Sequence, residues 1–438
     1  MRFIKTVLKS YQLRSLPPSS RIHYKRELLA WAFLPLMMGA IEGGVVGVLT
    51  KRLFTGSVDE NLLDWSVAAL AAAQGFANIS SFAWAGVSHG KHKIRFLTML
   101  KIAAVIMIGS VAIVPRTPIG LLVLLVCVIG TRICWAGVVT LRSTVWQANY
   151  PRANRAAVAG RIATVQAIIL ASVGLGIGEV MDQNEEAFRW IYPIAASFGI
   201  IGAWIYSKMR VAGHKSILKD ERSSPELATF NPLKTITLLK DDISFAKYMS
   251  CQFVFGLGNL MVTAPLVVVL ADQYSFDYLG EILIVSTIPI LLMPLSIPLW
   301  SKLLNRVHVI QFRAVHSWVF VLSSICFGIS IALGNSVGLW FAAAIRGIGF
   351  GGGVLAWNLG HQDFAPIEQS GRYMGLHVTL TGIRGLIAPA IGMGLYSLLK
   401  NTGDASGSGV FFVGAIISSV GGVGFFLLSG TSPEKSNK

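Results

Sequence analysis

The feature that most constrains this chain is a succession of apolar runs, each close to twenty residues long. A helix needs about 20 mostly apolar residues to cross the hydrocarbon core of a bilayer. Twelve runs meet that ruler, at 28–50, 65–88, 96–115, 118–147, 157–179, 188–208, 246–271, 279–300, 313–334, 337–360, 374–399 and 408–429. Charge content agrees. Only 13% of the residues are charged, about half the share that a soluble domain needs on a surface facing water. Forty-five glycines without a G-X-Y period exclude collagen, and the apolar runs exclude disorder. The sequence therefore predicts an all-α polytopic membrane protein. The first run is full length and follows basic, polar residues, so no cleavable signal peptide is expected.

Lysine and arginine placement predicts the orientation. With both termini in the cytoplasm, 27 of the 37 Lys and Arg residues fall in cytoplasmic segments, and five (Lys51, Arg52, Arg116, Arg189 and Lys400) in outer loops. That is the positive-inside asymmetry. It also assigns the net charge of +16 to a membrane surface and its lipids, and away from nucleic acid. The division expected is a basic segment at 1–27, a six-helix bundle at 28–208, a polar linker at 209–245, a second bundle at 246–429 and a tail at 430–438. Residues 1–16 place Phe3, Ile4, Val7, Leu8 and Tyr11 on one helical face, as in a surface-lying helix that Pro17 and Pro18 would end; a frayed basic tail is the other reading. The linker is expected to hold one or two short helices.

The two bundles carry an internal repeat. Arg132, Gly137 and Tyr150 recur as Arg346, Gly351 and Phe364 at a common offset of 214. Gly86-Val-Ser-His-Gly-Lys91-His-Lys-Ile-Arg95 after the second run is matched by Ser301-Lys-Leu-Leu-Asn305-Arg306-Val-His308 after the eighth. Six spans separate the copies, so the halves share one orientation, as parallel repeats about an axis along the membrane normal.

These motifs resemble the major facilitator superfamily over nearly the whole chain. Its loop signature, G-x-x-x-D-R-x-G-R/K, is matched by Gly86, Lys91 and Lys93, while Gly90 stands at the Asp position. Ser301, Asn305 and Arg306 fit the second copy loosely. Arg132 to Gly137 is similar to the family's fourth-span R-x-x-x-G-type signature. Of the fifth-span antiporter signature, Gly174, Gly176 and Gly178 lack the proline, and Gly385 to Gly392 in the eleventh run looks closer. The resemblance implies twelve helices in two six-helix repeats, moving a small solute by alternating access.

An ionisable residue inside a span costs several kcal/mol unless paired or hydrated. Glu42, Arg132, Arg346 and Arg384 qualify by depth, and Glu42 is the one carboxylate among them. Two readings of Glu42 stand side by side: a proton carrier, or a structural ion pair with Arg132. Three arginines against one acid suit an anionic solute, since the guanidinium fork matches carboxylate and phosphate; bonds to backbone carbonyls are the alternative for each. Gln74, Asn78, Gln166, Asn259 and Asn358 either line a wet cavity or bond a neighbouring helix. Trp135 and Trp357 either stack on solute or pack. Lys101 and Arg142 lie near span ends and are expected to snorkel to the surface.

Other chemistries find no support in the sequence. Cys127, Cys134, Cys251 and Cys326 lack metal-ligand spacing, and His89 and His92 are flanked by lysines. The formal GxGxxG at 347–352 lies in an apolar span, where glycines permit close helix approach. No P-loop and no nucleophile–base–metal constellation is present, so neither a cofactor nor an enzymatic activity is expected. The expectation is a monomeric secondary transporter of a bacterial inner membrane, moving a small and anionic solute with protons as the coupling ion. The alternative is a transport-inactive scaffold or receptor of the same fold, acting through partner proteins.

Overall fold

A computed structural model describes residues 16–223, 237–365, 370–404 and 406–430. Eleven helices among them are long and apolar enough to cross a membrane. The second span, Glu60–Ser88, is long enough at 29 residues but is made less apolar by Gln74, Asn78 and Ser80. Together these make the twelve spans of the facilitator-like architecture.

The first span breaks in the middle, into Pro18–Gly39 and Gly43–Phe54. The seventh does so at the corresponding place, into Ile243–Met261 and Thr263–Gln273. The eighth contains a π-helical stretch, Leu283–Thr287, between Tyr278–Ile282 and Ile288–Leu304. The third to sixth spans are Lys93–Ser110, Pro118–Asn149, Arg152–Gln183 and Phe188–Ser207. The ninth to twelfth are Val309–Ala332, Ser336–Leu359, Ser370–Asn401 and Gly409–Ser429.

The packing repeats with the sequence. In the first half, span one packs on five and six, four on two and three, and three on six; in the second, seven packs on eleven and twelve, ten on eight and nine, and nine on twelve. The halves meet along two seams, span two on eleven and span five on eight. A two-fold axis exchanging the halves turns each seam into the other. Span two meets span eleven at Gly75, where an added Cβ would lie 2.5 Å from the Leu386 nitrogen; no larger residue fits there.

Several expectations change. Pro18 is the first residue of span one, where its missing N–H costs nothing. Span one thereby reaches back to Glu27, which is 0% exposed and accepts bonds from the Trp146 indole and the Tyr150 hydroxyl. Glu42 is therefore not the one carboxylate within the spans, and Glu281 is likewise fully buried in span eight. Lys101 does not snorkel. It is 0% exposed, with its ammonium 3.0 Å from the Tyr206 ring centroid. Arg142 lies over the rings of Trp31 and Trp146. Arg313, at the very start of the ninth apolar run, is buried a full turn inside span nine against His316 Nδ1. The linker holds helices His214–Ser223 and Leu238–Asp241; the surface-lying helix of residues 1–16 and the tail fall outside the described residues, apart from Leu16 and Gly430.

Candidate functional site

A cavity of about 380 Å³ lies between the halves. All four of the sequence's deep charges, Glu42, Arg132, Arg346 and Arg384, line it, together with Gln74 and Asn78. Gln166, Asn259 and Asn358 do not. The Asn358 amide instead donates to the Val354 carbonyl of its own helix. Trp135 packs edge-on against Trp31, and Trp357 faces His377.

The break in span one builds one wall. Residues 40–42 leave the helix, which frees the Ile41 carbonyl to accept a bond from the Arg132 guanidinium at 2.5 Å. The other fork of Arg132 reaches the Gln74 amide oxygen at 3.1 Å, and Gln74 donates onward to Asn78. Glu42 caps the second half-helix by accepting from the Gly44 N–H at 3.0 Å. Its same oxygen accepts from the Ser286 hydroxyl of span eight at 2.6 Å. The Glu42–Arg132 ion pair, one of the two readings of Glu42, is not formed among the described residues, where each group has closer partners. A π-helical turn adds a residue to the helix wall and is frequent at functional sites; here it presents Ser286 to Glu42.

Arg384 donates to the Gln252 carbonyl at 2.5 Å. It lies against Gly256, where a Cβ would overlap its guanidinium. Arg346 is 5% exposed, and among the described residues no hydrogen bond or ion pair reaches it. Its guanidinium carbon lies 5.8 Å from the centroid of the Phe350 ring. Ser286 and Thr381 also line the cavity. Sequence reading missed both, since one hydroxyl in an apolar run carries no distinguishing pattern.

The halves are tied at the end opposite the linker. Lys51, buried, bridges Asp64 at 2.7 Å and Asp272 of the other half at 3.0 Å. Arg52 pairs with Glu281 at 2.5 Å and reaches the Phe276 carbonyl. Asp182 accepts from the backbone of Tyr278 and Leu279. Among the described residues, no ion pair or hydrogen bond joins the halves at the linker end.

At the linker end the loop after span two docks on helix His214–Ser223. Glu221 accepts from Lys93 at 2.8 Å and from the Gly90 N–H at 2.8 Å, and His89 Nε2 meets its carbonyl at 2.6 Å. A carboxylate from the linker thus stands where the loop lacks its own. Gly90 has φ of +65°, which favours glycine. His92 lies 4.2 Å from His214, ring to ring. Burial, His214 and Arg95 together hold His92 below the ordinary histidine range. Gly86 and Lys91 make local contacts, Gly86 to the His89 N–H and Lys91 to the Phe96 ring. Among the described residues, Ser301, Asn305 and Arg306 bond within the turn that ends span eight.

The sequence profile described as Major Facilitator Superfamily matches residues 167–389, half of the chain. The chain belongs to the major facilitator superfamily. Solved structures share this facilitator's fold at low identity. A D-xylose-proton symporter superposes with TM-score 0.69 at 12% identity, covering 95% of this chain and 98% of that one. A POT family transporter in complex with a thioalcohol-conjugated peptide gives 0.68 at 14%, covering 96% and 99%. The nucleoside transporter NupG gives 0.64 at 14%, covering 92% and 98%. Among curated protein sequences, no match to this facilitator is found.

Proposed function

We propose that this facilitator is a secondary active transporter that carries a small anionic solute through the central cavity. The observation that carries the reading is the meeting of Arg132, Arg346 and Arg384 with a single carboxylate, Glu42, in one cavity at the seam of two repeats. Three guanidiniums against one carboxylate leave positive charge in a low-dielectric site, where a bound anion is worth far more than in water. The positive-inside pattern supports placing the linker on the cytoplasmic side. With the opposite end tied by Lys51, Arg52 and Asp182, the arrangement corresponds to a state closed outside and facing inward. Rocking one half against the other about the two seams would reverse that access.

Glu42 is the proposed coupling group. It bonds both its own half and Ser286 of the other, so its surroundings change when the halves move. Relatives of the same fold include a transporter described as a D-xylose-proton symporter, which supports a proton as the coupling ion here. The membrane is proposed to be a bacterial inner membrane, the protein a monomer needing no cofactor and catalysing no reaction.

The test is uptake of a mixed pool of small metabolites into proteoliposomes, read by mass spectrometry against empty liposomes. Accumulation of anions is expected. Accumulation of neutral or cationic solutes alone would contradict the charge assignment, and accumulation of none would favour a transport-inactive scaffold.

A further inference from the structure

The polar groups of the cavity divide into those with partners and those without. On the first half, Arg132, Gln74 and Asn78 bond one another in a chain that ends on the Ile41 carbonyl, and Glu42 is held by Ser286 and Gly44. On the second, Arg384 is held through one nitrogen by the Gln252 carbonyl, while its buried Nε has no partner among the described residues. Arg346 lines the same cavity, is buried, and has no hydrogen-bonding or ionic partner among the described residues. The Thr381 hydroxyl, also in the lining, is likewise unpartnered. A buried guanidinium with no counter-charge is costly, and a ligand bearing one anionic group removes that cost.

The rest of the lining selects among anions. Val67, Leu70, Val267, Val285, Ile290 and Phe350 present hydrocarbon. Inorganic phosphate or a polyhydroxy acid would shed water against these walls, and most of the polar groups that could replace it are already bonded to one another. A hydrocarbon body gains from the same walls. Resting on the anion-transport reading above, we infer that the solute is a small amphipathic organic anion with one charged group, held by Arg346, and an apolar body against these side chains.

The experiment is isothermal titration of the purified full-length protein with hexanoate, gluconate, inorganic phosphate and hexanamide. Gluconate keeps the charge and carbon number of hexanoate but is hydroxylated; hexanamide keeps its shape without the charge. Hexanoate is expected to bind, with gluconate and phosphate about tenfold weaker or more and hexanamide about thirtyfold weaker. From butyrate to hexanoate, affinity should rise about fourfold per methylene. Arg346→Gln should weaken hexanoate about thirtyfold. Arg346→Lys, which keeps the charge and guards against a folding failure, should lose less because only the fork is removed.

Preference for gluconate or phosphate over hexanoate would overturn the inference and leave the anion reading standing. Equal binding of hexanamide and hexanoate, or no binding of any anion, would overturn both. Unchanged hexanoate affinity in Arg346→Gln would overturn the assignment to Arg346.

Discussion

The Ser286 hydroxyl of span eight donates to Glu42 Oε2 of span one at 2.6 Å, a direct bond between the two halves at the centre of the molecule. If Glu42 carries the coupling proton, Glu42→Gln should abolish transport driven by a pH gradient and spare solute exchange, which needs no net protonation change. Equal loss of both would assign Glu42 to structure. Ser286→Ala should keep the coupling but weaken the observed state by about 1.5–3 kcal/mol, as for a bond to a charged group.

Lys51 holds Asp64 and Asp272 together across the halves. Lys51→Ala leaves two carboxylates facing each other, and breaking a buried pair in this way costs about 3–5 kcal/mol. The outer end should open. A cysteine placed at Val67, in the cavity lining, should then react with an impermeant maleimide added outside, and should stay protected where Lys51 is intact.

Glu221 docks the linker helix onto the loop after span two. Glu221→Gln should lower the hydrogen-exchange protection of residues 214–223. Docking should also depend on pH. Docked His92, partly buried and facing His214 of the linker helix, takes up a proton less readily than a free histidine. Docking is therefore favoured above the ordinary histidine pKa of about 6.5 and weakens as pH falls below it. Protection factors, corrected for intrinsic exchange, should drop between pH 7.5 and 5.5. His92→Gln should flatten that drop.

Gly256 makes room for the Arg384 guanidinium. In Gly256→Ala the new methyl should push Arg384 off the Gln252 carbonyl, at a cost of about 1–3 kcal/mol for a buried donor displaced from its acceptor. A lower melting temperature together with weaker anion binding is expected, while Gly176→Ala, which meets open space, should match wild type.

The fold was legible because membrane crossing imposes a length and apolarity that few other structures require. The repeat was legible because Arg132 and Arg346 share an offset with flanking glycines. Those same residues, with Glu42 and Arg384, were found by the cost of a charge in hydrocarbon, and the structure brings all four to one cavity. Partners were harder to read. Glu42 and Arg132 are the obvious pair by charge, yet a helix break supplies Arg132 with a carbonyl and a π turn supplies Glu42 with a hydroxyl. Neither backbone feature has a charge signal. Glu27 lay just outside the apolar ruler because the helix starts at Pro18. Glu221 is 128 residues from Lys93, beyond the reach of local pattern.

The central claim is that an anion in this cavity drives the halves between two states. Spin labels at positions 61 and 402 report the outer end, and labels at 95 and 306 the linker end. Distances measured by double electron–electron resonance in nanodiscs should show a short outer and a long linker-end separation without solute. Hexanoate should populate the reverse pair, and Arg346→Gln should lose that response. A single pair of distances that no anion changes, or an equal shift with hexanamide, would contradict the account.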